Sequence, residues 1–586
     1  MVRRVFGAFA AVQTFFWLAR GDRFEVLSWF TRESWLYVLL LWLKDLALAA
    51  AAGWVAARLL GLVTNAAARG EREPSPPLRP ATEAAFVVPA LALGVALRWV
   101  FSSWNPPGLW VDVVYAARPL FGGGTPPPWG ASPFGENPAS HEVVSNLYVA
   151  FVRGVFALFG SGETGFFAIS ALPGCLAVPA AWWLAREAFG ARVAAVAAVL
   201  GALLGWPLLL SRWSSTAALL LALVFLAAAS TLRARRRGSV ALAAFAGACV
   251  GASLHTHASA GAVAAGFAAF ALLEARNAPA RRLVLAAAAA AALAAAPLAL
   301  AFAAGQGRPG GHLRDVHIGT PAKGVDGPRV TGVLRIPAAL AWNALDYTGA
   351  LLWTLDPNQR NALGRAAVTP AVGLVAILGI GLAASRRRPA DVLLLLLAAG
   401  SLLAGLLSNP DGAPNTLRIS ALLAPALVLA AAVLEAGIGR AARSAAASRG
   451  LLVAGLATAL VATETLPALL DAPSRPGVAA QFCAAETEAG RTLARLAAAP
   501  VVLERRADLS PVVVEAVAHG ADRRIPLNAW PRKTPAGILA SPPAGSFWVL
   551  ASRAGLAELA AGGLRCARGI APGGGEFLLA RVRPRA

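Results

Sequence analysis

Long apolar runs separated by short polar connectors dominate this chain. The runs fall at 5–19, 35–63, 84–101, 143–160, 166–185, 192–210, 214–232, 239–257, 258–275, 283–304, 366–384, 389–407, 416–438 and 450–469. Many approach the ~20 residues a helix needs to cross a bilayer core. The pattern predicts an all-α polytopic membrane protein. After position 470 the pattern changes. Short apolar stretches at 500–504, 546–551 and 576–582, with a helical stretch at 508–519, read as strand, helix, strand, strand. A small C-terminal α/β domain is expected there.

The connectors orient the runs. Arginine occurs at Arg3 and Arg4, through 69–79, at Arg186 and Arg192, through 233–237, through 276–282, at 386–388 and through 440–449. Arginine-bearing connectors stay on the cytoplasmic side of a membrane. That places 21–34, 102–142, 211–214, 255–257, 305–365, 408–415 and everything after about 470 outside. The runs 143–160 and 166–185 must then cross only once between them. Pro173 and Pro179 predict a broken second segment. About 13 spans result, with the N-terminus inside and an extracytoplasmic C-terminal domain. Three regions are expected: 1–83, two extra N-terminal helices and a Pro- and Arg-rich linker; 84–469, the main membrane domain with outer loops 102–142 and 305–365; and 470–586, the α/β domain.

Composition agrees. The 586 residues are 58% hydrophobic and 14% charged, with a mean hydropathy of +0.62. The net charge of +22 lies in the connectors, and no basic patch is interleaved with aromatics, so nucleic acid is not an expected partner. Of the four cysteines, Cys175 and Cys249 fall in apolar runs. Cys483 and Cys566 fall in the C-terminal region, where a disulfide is possible in an oxidising compartment.

The candidate chemistry lies in the outer loops. Asp112, in the first outer loop after 84–101, can serve as a general base or help hold a divalent cation. The alternative is a solvated loop carboxylate. Glu136, His141 and Glu142 gather where the next run begins, as ligands or as ordinary helix-start residues. Arg212 interrupts two apolar runs at the outer face, a costly position unless it meets an anion such as phosphate. The alternative there is a snorkelling side chain. His255 and His257 form a short turn with no third ligand evident. Asp356 and Arg360 lie in the long polar loop 305–365. Arg418 opens an outer helix start, where the dipole does not favour a cation.

Taken in order, these pieces resemble a GT-C glycosyltransferase of the protein O-mannosyltransferase and lipid A aminoarabinose-transferase type. The matching pieces are Leu109-Trp-Val-Asp112, His141, the turn 160–165, the stretch 170–179, Leu210-Ser-Arg212 and Gly251-Ala-Ser-Leu-His-Thr-His257. Asp356-Pro-Asn-Gln-Arg360 with Leu363-Gly-Arg365, and Ala413-Pro-Asn-Thr-Leu-Arg418, complete the set. They span about 84–440. The departures are Val113, where the family often has a second acid, Phe167, where it often has Arg, and His255, where it has an aromatic.

The resemblance implies sugar transfer from a polyprenyl-phosphate donor to a protein, lipid or glycan acceptor, outside the cytoplasmic membrane. It implies Asp112 as the catalytic residue, Arg212 and Arg418 as donor-phosphate ligands, and a divalent metal as the one cofactor to consider. A transporter or flippase for a lipid-linked or anionic substrate is the competing class. Such proteins place ionisable residues near the midplane and show repeats, neither of which occurs here. A catalytically divergent membrane assembly protein is the third reading, raised by Val113 and Phe167.

Overall fold

The computed structural model describes residues 80–100, 106–110, 113–114, 117, 120, 135–136, 143–144, 146–213, 215–303, 318, 335–351, 356, 361, 367–409, 413–441, 446–471, 478–479, 482–495, 501–504, 511–521, 531–543, 546–567 and 577–584. The two expected N-terminal helices lie outside them, as does most of loop 305–365.

The membrane region begins with α1 (Pro80–Trp99), which places Pro80 and Glu83 in its first turn and Arg98 in its last. These are the charges each end of a helix dipole favours. A two-stranded hairpin pairs β1 (Gly135–Glu136) with β2 (Val143–Val144). Then come α2 (Asn146–Phe159), α3 (Glu163–Phe189), α4 (Ala191–Leu203) and α5 (Gly205–Trp213). They are followed by α6 (Ser215–Arg237), α7 (Val240–Ser253), α8 (Ala260–Glu274) and α9 (Ala278–Ala303). The remainder is α10 (Arg335–Gly349), α11 (Pro370–Arg386), α12 (Pro389–Leu406), a 3₁₀ turn (Thr416–Leu422), α13 (Leu423–Ala441) and α14 (Ala446–Leu460).

Among the described residues, six helices are long and apolar enough to cross a membrane, or seven if the bent pair α4–α5 is one span. Four shorter apolar helices accompany them. The expectation of about 13 spans is thus met only by its coarser part, a multi-pass helical membrane protein.

The predicted break is in a different place. α3 runs unbroken for 27 residues through both Pro173 and Pro179. The break falls at Leu204, where α4 and α5 bend by 53°. Pro207 explains it: it has no N–H to donate to the carbonyl of Leu203, and its fixed φ suits the first turn of a new helix.

The arginine-bearing ends gather at one end of the bundle. Arg186 on α3 pairs with Glu83 of α1 at 2.9 Å, and Arg233 on α6 pairs with Glu187 of α3 at 2.7 Å. Arg235 pairs with Glu274 at 2.9 Å, and Arg386 lies over the Phe189 ring. Glycine permits the closest helix contacts. A Cβ at Gly247 would lie 1.9 Å from the Ala287 carbonyl, and one at Gly251 would lie 2.3 Å from that of Ala291. The spacing of four puts both glycines on one face of α7, so that α9 seats against bare backbone.

Beyond two π-helical turns (Val461–Thr465 and Pro467–Asp471) the chain enters the C-terminal region. Its elements are α15 (Ala484–Arg495), β3 (Val501–Glu504), α16 (Pro511–Ala521), β4 (Arg532–Lys533), α17 (Pro535–Ala540), β5 (Phe547–Ser552), α18 (Arg553–Ala561), β6 (Leu564–Cys566) and β7 (Phe577–Pro584). The strands form one sheet of order β4-β3-β5-β7-β6. β3 is parallel to β4 and β5, whereas β7 is antiparallel to β5 and β6.

Alternation gives the sheet two buried faces. Leu503, Leu550 and Leu579 pack with Leu493 and Val514, while Val502, Val549 and Ala580 pack with Ile538 and Leu559. The other side of α16, through Val513 and Val517, joins the same core as Phe482, Trp213 and the membrane helices. The four expected elements of this region are present, and α15, β4, α17, α18 and β6 are additional. The expected disulfide is corrected: Cys483 and Cys566 are both free thiols. Cys483 is buried, and burial pushes the Cys566 thiol up.

Candidate functional site

The described part of the site forms where α1 and α5 end and α3 begins. Arg212, in the last turn of α5, is 1% exposed. It donates from Nη1 to Leu97 O at 3.0 Å and from Nη2 to Val100 O at 2.7 Å. These are carbonyls at the end of α1, which helical bonds leave without donors. A cation there also suits the dipole. Arg98, likewise 1% exposed, donates to Gly94 O at 2.7 Å and Gly201 O at 2.9 Å. Two guanidiniums thus stay buried because backbone carbonyls solvate them.

Phe167 lies under Arg212, with the guanidinium carbon 5.3 Å from the ring centroid. An apolar residue here gives a cation–π contact. Another arginine would face Arg212 with like charge.

Beside Arg212 a cavity of about 40 Å³ is lined by Pro106, Gly108, Trp110, Val113, Glu163, Ser170 and Trp213, among others. That is far below the ~300–1,000 Å³ of a ligand pocket and is sized for a few waters. Trp110 and Val113 are the described sequence neighbours of Asp112. Asp112 itself lies outside the described residues, as do His141, Glu142 and Arg360. Glu136 is described only in its backbone, opposite Val143 in the hairpin.

Arg418 belongs to a second cluster and does not line that cavity. It donates from Nη1 to Asn409 O at 3.1 Å. The buried Asp356 lies nearby in the chain's packing, because its Oδ2 accepts from Thr416 N at 2.7 Å, Thr416 Oγ1 at 2.8 Å and Asn361 Nδ2 at 3.1 Å. Asp356 therefore caps the 3₁₀ turn that carries Arg418.

Asn415 adds a second cap to Leu417 N at 3.2 Å and accepts from Asn361 at 2.9 Å. Asn343 donates to Ser408 O at 2.6 Å, and the Asn415 N–H donates to the Tyr347 hydroxyl at 3.3 Å. Sequence reasoning missed Asn343, Tyr347 and Asn361. Their only signal was polarity inside or beside helical runs.

The two histidines diverge. His255 Nε2 bonds the Ala294 carbonyl at 2.9 Å, while His257 Nδ1 accepts from Ser259 Oγ at 2.8 Å and N at 3.2 Å. Among the described residues no three of His, Cys, Asp or Glu converge. The described candidates, with Asp356 already saturated on one oxygen, do not fit a metal.

Residues 145–300 match the family model of dolichyl-phosphate-mannose-protein mannosyltransferases. That segment, about a quarter of the chain, is similar to the PMT-like family. The matched range includes Glu163, Phe167, Arg212, His255 and His257. No curated protein matches this chain. Among solved structures it is similar to ArnT from Cupriavidus metallidurans bound to undecaprenyl phosphate, at 12% identity and TM-score 0.49, over 85% of this chain and 98% of that one. It is also similar to the Archaeoglobus fulgidus oligosaccharyltransferase, at 16% identity and TM-score 0.44, over 78% and 64%. A third is the mycobacterial arabinofuranosyltransferase AftD, at 16% identity and TM-score 0.42, over 87% and 40%.

Proposed function

We propose that the protein is a membrane glycosyltransferase that moves a sugar from a polyprenyl-phosphate donor to an acceptor hydroxyl on the outer face of the cytoplasmic membrane. The observation that carries this reading is the family match over 145–300. The cavity beside Arg212, lined by the sequence neighbours of Asp112, supports the choice of site.

In this reading Asp112 accepts the acceptor's proton as the hydroxyl attacks the anomeric carbon. The carbon–oxygen bond to the lipid phosphate breaks, and the phosphate leaves with the electron pair. Arg212, fixed at the end of α1, and Arg418, fixed by the Asp356 cap, act as cations for that phosphate. Arg360, Glu136, His141, Glu142, His255 and His257 remain candidates for substrate contact. The C-terminal region would then face outward with the site, opposite the arginine-rich end.

Purified protein in liposomes is offered undecaprenyl-phosphate-linked mannose, aminoarabinose or arabinofuranose, with total envelope extract as acceptor. Release of undecaprenyl phosphate from at least one donor is expected. The D112N variant should lose on the order of 10²–10⁴-fold in rate, the usual contribution of a general base, while eluting as the folded protein. Undiminished release by D112N sinks the assignment of the base.

A further inference from the structure

The C-terminal region grips the segment that precedes Asp112. Pro106 and Pro107 have no N–H to donate, so this segment has few ways to fix itself. Leu109 N instead donates to Thr487 Oγ1 of α15 at 3.1 Å. One residue before it, a Cβ at Gly108 would lie 2.3 Å from Phe482 O and 2.8 Å from the Ala484 Cα. Only glycine allows the two backbones to meet so closely.

A second anchor holds the opposite wall of the cavity. Arg491 of α15 donates Nε to Glu163 Oε1 at 2.7 Å and Nη2 to Glu163 Oε2, a two-pronged pair at the start of α3. Glu488 flanks the same guanidinium at 2.9 Å. Between the anchors, Trp110 meets Trp213 edge-on at 5.4 Å, and Trp213 meets Phe482 at 5.6 Å. Loop, α5 and the chain leading into α15 thus share one aromatic column beside Arg212.

We propose that Thr487 and Arg491 are positioning residues for the transfer reaction. By pinning Leu109 and Glu163 they hold residues 106–110, the lead-in to Asp112, against the end of α5, which makes α15 a working part of the active site. The proposal rests on the reading of Asp112 as the base. A solvent-edge ion pair alone contributes little to stability. Misplacement of a reacting group by about 1 Å, by contrast, can cost ~10² in rate.

The test compares T487V, R491M, the double exchange E163R/R491E and D112N as full-length proteins in detergent. Hydrogen exchange of the peptide spanning 106–113 is measured with turnover of whichever of the three donors above is accepted. T487V and R491M should speed exchange of that peptide at least tenfold while the span α6 keeps its protection. They should lower kcat about tenfold with acceptor KM within twofold, and E163R/R491E should recover most of the R491M loss.

D112N should keep wild-type exchange while inactive. Unchanged exchange in both T487V and R491M overturns the proposal, as does faster exchange with unchanged kcat. If D112N stays active, the base assignment is what has failed. The exchange data still decide whether α15 pins the segment.

Discussion

Arg212 and Phe167 show how one residue type sets the demands on another. In the membrane region a guanidinium must be solvated by protein. Here the carbonyls of Leu97 and Val100 do so from one side and the Phe167 ring from the other. Position 167 thus faces a cation already in place. F167R should therefore cost at least ~2 kcal/mol by forcing like charges together in a buried site. F167L should lose only the ring contact, which is worth about 1–2 kcal/mol. Thermal unfolding in detergent separates them, and an F167R protein as stable as F167L would show that position 167 does not feel Arg212. Asp356 makes a related point. Its carboxylate looked in sequence like a ligand, yet it is occupied by the two donors of Thr416 and the amide of Asn361.

Among the elements, α7 and α9 depend on the absence of side chains. Gly247 and Gly251 let the helices meet backbone to backbone at Ala287 and Ala291. Where lipid surrounds helices, close packing of this kind replaces the hydrophobic drive available in water. G247L should lower stability by about 1–3 kcal/mol, the usual cost of overpacking, and shift the unfolding midpoint downward. A midpoint equal to wild type would mean that α9 is not seated on that face. The helix break teaches a parallel lesson. Two prolines sit inside α3 without interrupting it, whereas Pro207 coincides with the 53° bend between α4 and α5. Pattern alone could not rank three prolines, because each outcome depends on what packs around the freed carbonyl.

At the scale of the whole molecule, the arginine-rich helix ends collect at one end. The cavity beside Arg212 and the C-terminal sheet region meet where Glu163 pairs with Arg491, at the opposite end of α3 from Arg186. If the arginine-rich end is cytoplasmic, a cysteine placed at the exposed Glu558 should react with a membrane-impermeant maleimide in intact cells. One placed at the exposed Arg237 should react only after permeabilisation, with Cys566 changed to Ser in both. The reverse pattern would invert the orientation and with it the outer-face reading of the site.

Hydropathy and arginine placement by themselves determined that this is a multi-pass helical membrane protein with a small α/β region after position 470. Apolar length and loop charge act locally and can be read residue by residue. They also singled out Arg212, Asp356 and Arg418 as residues needing partners, since charge beside apolar runs is costly wherever the chain goes. Tertiary structure decided which partners those were. Arg212 is solvated by the end of α1, Asp356 by Thr416 and Asn361, and Leu109 and Glu163 by a helix more than three hundred residues away. Such pairings turn on which chain ends meet after packing, and that is a property of the assembled bundle rather than of any local stretch.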